Sequence, residues 1–290
     1  MRESVVVNFT HFKLAASSAP GCGVDVVANV VLANAEKFPC LGEHQEVVVK
    51  VMLKSVKAFD SKHPAAESHL QEIAFSALDR VLQTHVAMPT VGKWLNLTDF
   101  KTTRQQSQIV SAVENLAECL LHGHMVPVSV NMWTAQSVEQ VDFNHSQLID
   151  SRATFRYTLV NFIGACYRSN LNVFRVRDVL LAIDNDRCFH MKNHHYHWHR
   201  SGMYQYWPRL LDNSTCVYAR QDKQFVVSLL ANLRNRLSFG RDSLFPSLVS
   251  ELAHDELAQN VIKRLADTFH DTDDRARMVL NHFSEDCSIL

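Results

Sequence analysis

Several features that would assign this chain to a large class of proteins are missing from its sequence. The 290 residues carry a formal net charge of −1, so bulk attraction to nucleic acid or to an anionic membrane surface is not expected. No apolar run approaches the ~18 residues of a membrane-spanning helix. Residues 1–8 contain no apolar core of the kind found in signal peptides. Taken literally, these absences predict a protein without a nucleic-acid partner or a membrane span, and a cytoplasmic one if the chain is complete.

Cysteine use and glycosylation sequons favour a different location. No C-x-x-C pair is present, which argues against a zinc knuckle. Seven cysteines fit a lumenal protein with one thiol left over, or a cytosolic protein with buried thiols. Four N-x-S/T sequons, typical of secreted glycoproteins, begin at Asn8, Asn96, Asn144 and Asn213. We therefore expect a protein of the Golgi lumen or the extracellular space, with a targeting segment that is absent from this chain.

The order of the elements predicts an α+β protein with two lobes. Apolar, β-branched runs predict strands at residues 5–15, 24–33, 47–53, 126–132 and 179–183, with a short extended segment at 89–92. Helical spacing of apolar residues covers 65–83, 105–121, 152–165, 224–236, 245–266 and 272–283. Strands come mainly first and helices later, so we expect a β-rich N-lobe, residues 1–130, and a mainly helical C-lobe, residues 131–290.

A lysine within the third predicted strand is a candidate nucleotide ligand. Lys50 stands among valines, where it could also be the outward residue of a half-buried strand. Glu72 in the next helix favours the functional interpretation, because a strand Lys paired with a helix Glu holds nucleotide phosphates in kinases. Glu67 faces another side of that helix. Gly21 and Gly23, between the first two strands, could bring backbone N–H groups to phosphates, although a hairpin turn explains them equally well.

An asparagine and an aspartate form a second candidate pair. Asp184 ends an apolar strand, and Asn172 precedes that strand; each alone could be an ordinary loop residue. In this order they are typical of a kinase-like site that holds the metal bridging nucleotide phosphates. Five residues before the Asn, such a site has the Asp that accepts the proton of the attacking hydroxyl. Here that residue is Tyr167, followed by Arg168, and a tyrosine with an ordinary pKa of ~10 is a poor base at neutral pH.

A histidine-rich segment supports a third hypothesis. In an extended chain His195, His197 and His199 share one face and could hold Zn²⁺ or Cu²⁺. No Cys, Asp or Glu accompanies them, and Tyr196 and Trp198 lie between them. The simpler interpretation is an amphipathic surface strand with adventitious metal affinity. A His-rich extracellular metal-binding module, extending over residues 190–199, is the distant alternative.

The chain resembles the secretory-pathway kinases that include four-jointed and the Golgi casein kinase. In that family a helix ends in Leu-Asp-Arg-x-Leu, and a Pro-x-x-Gly-Arg turn and an Asn-x-Thr sequon follow. The matching runs here are residues 78–82, 89–93 and 96–98. Residues 49–52 are similar to the family's Phe-Lys-Pro-Met, and 184–187 to its Asp-Asn-Gly-Arg. The likeness extends from about Gly21 to the end of the chain.

The resemblance implies a two-lobed kinase-like fold that binds ATP with Mg²⁺ or Mn²⁺. It assigns the nucleotide role to Lys50 and the metal role to Asp184. Residues 210–218 are most similar to four-jointed, whose equivalent cysteine pairs near the C-terminus, and this implies a disulfide between Cys216 and Cys287. The cysteine-rich insertion of the Golgi casein kinases is absent, so the chain is nearer to a compact four-jointed-like member.

One departure from the family decides the expected activity. Residues 164–168, Gly-Ala-Cys-Tyr-Arg, stand where the family has Gly-Asn-x-Asp-Arg, so the catalytic Asp is replaced by Tyr167. We expect a pseudokinase that binds nucleotide and metal and acts as an allosteric partner of an active relative. The alternative is an active atypical kinase that phosphorylates Ser or Thr of secreted proteins, or a sugar hydroxyl of a glycan.

Overall fold

The computed structural model describes residues 6–14, 24–32, 44–51, 68–96, 125–132, 139–141, 149–166, 173–176, 178–183, 185, 188–189, 210–239, 243–266 and 268–290. The chain forms two compact units. The N-unit comprises Met1–Ile73, Met88–Gln136 and His254–Asn260. The C-unit comprises Ala74–Ala87, Ser137–Ala253 and Val261–Leu290. Because the units interleave along the sequence, a single lobe boundary between residues 130 and 131 stays a prediction.

The N-unit contains a five-stranded antiparallel sheet. Its strands are β1 (Val6–Leu14), β2 (Val24–Leu32), β3 (His44–Val51), β4 (Thr90–Asn96) and β5 (Met125–Met132), in the order β1-β2-β3-β5-β4. Valine-rich runs form these strands, as expected for β-branched side chains. Lys50 of β3 pairs with Ser129 of β5, and Ser129 also pairs with Gly92 of β4. These three residues therefore stand at one level across neighbouring strands.

Helix α1 (Ser68–Leu82) follows the third strand in sequence. Its predicted apolar face is buried throughout: Leu70, Ile73, Ala74, Ala77, Leu78 and Val81. The polar residues between them, Gln71, Glu72, Ser76 and Asp79, are buried as well. The central turns of α1 are therefore buried on their polar side as well as on their apolar side. The spacing of apolar residues in the sequence predicted burial of one face only.

The C-unit is mainly helical and carries a three-stranded antiparallel sheet, β6 (Glu139–Gln140), β7 (Val173–Val176) and β8 (Val179–Ala182). The helices that the structure describes in the second half of the chain are α2 (Arg152–Ile163), α3 (Asn213–Gln221), α4 (Lys223–Phe239), α5 (Phe245–Leu252), α6 (Ala258–Ala266) and α7 (Phe269–Asn281). A short π-helix, His282–Asp286, continues α7. Among the helices that the structure describes, none combines the length and apolar character needed to cross a bilayer.

Some sequence-based boundaries were wrong. The single helix predicted over residues 245–266 is two helices, α5 and α6, separated by residues 253–257. Strands β6 and β7 and helix α3 had no predicted counterpart. The helix predicted over residues 105–121 lies outside the described part of the chain.

Candidate functional site

The turn of α1 that carries Glu72 packs against β4 of the N-unit at Gly92. A Cβ added at Gly92 would lie 2.8 Å from Ile73 Cδ1, 2.8 Å from Leu257 Cβ and 2.5 Å from Asp255 Oδ1. Only glycine leaves room for this approach. Since Gly92 and Lys50 stand at the same level of the sheet, the packing brings the Glu72 turn of α1 to the level of Lys50.

Glu72 itself is buried, with 1% of its surface exposed. A carboxylate so deeply buried needs a charged or hydrogen-bonding partner. The side chain of Lys50 lies outside the described part of the structure, so a Lys50–Glu72 ion pair stays a prediction. Gly21 and Gly23 also lie outside it.

Two acidic side chains of the N-unit form hydrogen bonds with the backbone of β4, which is an edge strand of the sheet. Asp255 accepts hydrogen bonds from the backbone N–H of Gly92 at 2.7 Å and of Leu257 at 2.8 Å. Glu256 accepts from the backbone N–H of Trp94 at 2.9 Å and pairs with Lys93 Nζ at 2.6 Å. These carboxylates satisfy edge N–H groups that would otherwise be open to another strand. They also fix the position of Gly92, and sequence reasoning did not identify them.

The metal-site candidates flank one end of a hairpin in the C-unit. In the β7–β8 hairpin Val173 pairs with Ala182. Asn172 immediately precedes Val173, and Asp184 follows Ala182 by two residues. The two chain segments therefore leave the hairpin at the same end. Asn172 and Asp184 themselves lie outside the described residues, so their role as metal ligands stays a prediction.

A disulfide that sequence reasoning missed joins Cys166 to Cys188, 22 residues apart. Beside it, the backbone N–H of Phe189 donates to the carbonyl of Gly164 at 2.7 Å. The closed segment contains, in sequence, all four candidate residues of the C-unit: Tyr167, Arg168, Asn172 and Asp184. The signal was present, since Cys166 directly precedes Tyr167 and Cys188 follows Asp184 by four residues. A disulfide that closes a loop of this length restricts the unfolded chain, and this loss of entropy raises the free energy of unfolding by about 3 kcal/mol at 25 °C.

The backbone just before Tyr167 contains a residue with a positive φ angle. Ala165 has φ of 50°, in the left-handed region. Asparagine, which the family has at this position, tolerates that region better than other non-glycine residues. A Cβ on the preceding Gly164 would lie 3.1 Å from the Val160 carbonyl and 3.3 Å from Leu78 Cδ2. The turn is therefore sterically constrained at Gly164 and Ala165, and Tyr167 as the residue at the position of the catalytic Asp stays a prediction.

Arg275 of α7 forms a hydrogen bond with the C-terminal end of α2, the helix that precedes this turn. Its Nε donates to the carbonyl of Ile163, the last residue of α2, at 2.9 Å. Desolvation lowers the pKa of Arg275 to about 10, so the guanidinium stays protonated at neutral pH. A cation at a helix C-terminus is favourable because it offsets the partial negative charge of the last carbonyl groups. Arg275 therefore stabilises the C-terminal end of α2, three residues before Cys166.

Asp79, in the Leu-Asp-Arg run, organises the turn after α1. Its carboxylate accepts from the hydroxyl of Thr84 and from the backbone N–H of Val86 at 2.8 Å. The carbonyl of Val86 then accepts from the N–H of Ala182 on β8 at 2.8 Å. The resembling motif therefore supports, through Val86, the strand that leads to Asp184.

Replacing Asp79 tests this role. Burial raises the pKa of its carboxyl, so the native state binds a proton at higher pH than the unfolded state. The contribution of this group to the free energy of unfolding falls as pH rises from the ordinary carboxyl range through the folded pKa. Asp79→Ala should lower the free energy of unfolding by about 1–3 kcal/mol, because it leaves two donors without an acceptor.

Asp79→Asn retains an acceptor and cannot ionise. In urea unfolding at a series of pH values from about 4 to 7, it should remove the fall in stability that Asp79 causes. An unchanged pH dependence in Asp79→Asn would contradict a raised carboxyl pKa. Wild-type stability in Asp79→Ala would contradict the role of Asp79 in the turn.

The second disulfide joins Cys216 of α3 to Cys287 near the C-terminus, with Cα atoms 5.0 Å apart. This pairing was expected and is confirmed. The His-rich segment, residues 190–199, lies outside the described part, as does sequon residue Asn144. Asn213, at the start of α3, is exposed.

Comparison with known proteins establishes the fold. No family model and no curated protein matches the chain. A solved structure of the Golgi casein kinase is 16% identical with a TM-score of 0.55, over 96% of this chain and 72% of that one. The Golgi casein kinase with Mn/ADP bound has the same identity and TM-score, over 95% of this chain and 73% of that one. The structure of hydra Fam20 with sugar is 13% identical with a TM-score of 0.53, over 98% and 87%. The predicted α+β kinase-like fold is confirmed.

Proposed function

We propose that this protein binds ATP and a divalent metal ion in a kinase-like site and transfers phosphate weakly or not at all. The observation that carries the proposal is the packing of α1 at Gly92, which brings the turn of Glu72 to the level of Lys50 within a kinase-like fold. A fold neighbour that holds Mn and ADP supports a site for both groups.

Each candidate residue has a distinct task in the proposed site. Lys50, oriented by Glu72, holds the nucleotide phosphates, and backbone N–H groups near Gly21 and Gly23 approach them. Asn172 and Asp184 supply the oxygen ligands that Mg²⁺ or Mn²⁺ prefers. When bound, the metal neutralises charge on the phosphates.

Loss of the proton-accepting Asp limits the proposed chemistry. General base catalysis contributes about 10²- to 10⁴-fold to a rate, whereas nucleotide binding does not depend on it. The protein would then act by binding an active kinase relative, as an allosteric partner. The second candidate function is active transfer to Ser or Thr of secreted proteins or to a sugar hydroxyl. The buried Glu72 is compatible with this function too, because positioning of the phosphates is the main requirement of such transfer.

The secretory pathway is the proposed location. Two disulfides lie among the described residues, and disulfides persist mainly in oxidising compartments. The Golgi kinase among the fold neighbours and the four sequons agree with this location. Glycosylation and the nearer likeness to four-jointed belong to the same proposal.

The Lys50–Glu72 pair gives the experiment that tests the site. Isothermal titration calorimetry with ATP and Mn²⁺ should show binding at least about tenfold weaker for Lys50→Ala and for Glu72→Gln than for wild type. The double variant should lose less than the sum of the two, because each change disables the same interaction. Lys263→Ala, on an exposed position of α6, is the matched control and should bind as wild type does. Equal affinity in Lys50→Ala and wild type would contradict the proposed site.

A further inference from the structure

A buried histidine lies against both sulfur atoms of the C-terminal disulfide. His282 Nε2 is 3.7 Å from Cys216 Sγ and 3.5 Å from Cys287 Sγ. The three side chains are buried, with 3%, 7% and 1% of the surface of Cys216, His282 and Cys287 exposed. No step of the proposed nucleotide chemistry uses this group. Two sulfur atoms and one imidazole nitrogen are the ligand types that zinc prefers.

The distances match a zinc site. With Zn–S of about 2.3 Å and Zn–N of about 2.0–2.1 Å, adjacent sulfur and nitrogen ligands of a tetrahedron lie about 3.5–3.6 Å apart. Both sulfur–nitrogen distances in the cluster are close to this value. The sulfur–sulfur separation alone must increase, which requires that the disulfide be reduced.

The second ring nitrogen of His282, Nδ1, has a carboxylate partner of the kind found in zinc sites. His282 Nδ1 lies 2.7 Å from Asp286 Oδ2. With its proton on Nδ1 and donated to this carboxylate, the ring presents the lone pair of Nε2 to the two sulfur atoms. A carboxylate behind a ligating histidine is the usual outer partner in zinc sites, where it fixes the tautomer and raises ligand basicity.

Contacts other than the disulfide hold the three residues in place. The backbone N–H of Cys287 donates to the carbonyl of His282 at 3.0 Å, and that of Ile289 to the carbonyl of Phe283 at 3.1 Å. The ring of Phe283 is fully buried and packs on Phe155 with centroids 5.7 Å apart. The C-terminal segment therefore keeps its anchor after reduction, and the ligands stay close together.

We propose that Cys216, His282 and Cys287 bind a zinc ion when the disulfide between them is reduced. A dithiol donates two electrons and two protons to the disulfide, which gives two thiols and the oxidised dithiol. Zinc binding then releases both thiol protons to solvent. Two thiolates, a neutral imidazole and Zn²⁺ form a group without net charge, which lowers the cost of its burial. A solvent molecule completes the tetrahedron, and zinc replaces the disulfide as the link between α3 and the C-terminus.

The test is zinc binding by the full chain before and after reduction. The protein is reduced with a phosphine, which is oxidised to its phosphine oxide with an oxygen atom from water. It is then desalted without oxygen and titrated with Zn²⁺ alone. Reduced wild type should bind about one zinc ion more per chain than the reduced Cys216→Ser/Cys287→Ser variant. The matched control, Cys166→Ser/Cys188→Ser, loses the other described disulfide and should retain the zinc ion. Equal stoichiometry in wild type and Cys216→Ser/Cys287→Ser overturns the proposal.

Two single variants decide the question if the double variant fails to fold. Asp286→Asn leaves all three ligands and should weaken zinc binding about 10- to 100-fold, as loss of an outer partner does elsewhere. His282→Gln removes a ligand and should weaken it further. Cobalt(II) in place of zinc should give thiolate-to-metal absorption in reduced wild type that requires a higher cobalt concentration in His282→Gln. Wild-type zinc affinity in both single variants overturns the proposal.

Discussion

Replacing Tyr167 with aspartate should raise phosphate transfer about 10²- to 10⁴-fold above wild type. The variant supplies the carboxylate that the resembling family has at this position and that accepts the proton of the attacking hydroxyl. Transfer is measured as phosphate incorporated into a generic acceptor from ATP with Mn²⁺.

Controls separate a gain of base catalysis from other effects of the substitution. Tyr167→Phe should stay as inactive as wild type, since it introduces no base. Tyr167→Asp combined with Asp184→Ala should be inactive, because this double variant lacks the proposed ligand of the metal that neutralises the phosphates of ATP. Robust transfer by wild type would overturn the pseudokinase hypothesis and favour the active kinase.

Replacing Asp184 with alanine should abolish metal-dependent nucleotide binding. Asp184 follows β8 at the end of the hairpin where Asn172 also lies in sequence, and the pair is the proposed ligand set for Mg²⁺ or Mn²⁺. Without a carboxylate ligand the metal no longer bridges protein and phosphates. Calorimetry with ATP should then give the same weak signal with and without Mn²⁺.

The other end of the same hairpin offers a matched control. Asp178 is exposed in the turn between β7 and β8, so Asp178→Ala removes an equal charge from the opposite end. It should bind ATP and Mn²⁺ as wild type does. If Asp184→Ala retains metal-dependent binding, the metal role belongs to other residues.

Residues with strong local signals were predicted well. The strands of the N-unit sheet follow from valine-rich runs, and α1 follows from its helical periodicity. The Cys216–Cys287 disulfide followed from a family resemblance, and it is confirmed. In each case the property that fixes the structure can be read from neighbouring residues or from a short motif.

Features that depend on distant partners were missed. The interruption between α5 and α6 contains Asp255, whose carboxylate accepts a hydrogen bond from the backbone N–H of Gly92, 163 positions away. Apolar spacing continues across the interruption, through Leu252, Leu257 and Val261, so the sequence is typical of one helix. The contact of Arg275 with the end of α2 likewise joins residues 112 positions apart and leaves no local pattern.

The identities of the candidate site residues stay a prediction from the sequence. The structural observation that supports the site is the close packing of α1 against β4 at a glycine, and the sequence did not predict this contact. Gly92 matched a family turn, but its consequence, close packing of α1 beside Glu72, depends on tertiary structure. The Cys166–Cys188 disulfide closes a segment that contains Tyr167 and Asp184 in sequence, and the positions of its two cysteines next to these candidates were its sequence signal.

Calorimetric titration of the wild-type chain with ATP, with and without Mn²⁺, tests the central claim most directly. The account predicts saturable binding that requires the metal, and phosphate incorporation near background under the same conditions. Absence of nucleotide binding in the folded protein, with or without metal, would contradict it and leave the kinase-like fold as a scaffold alone.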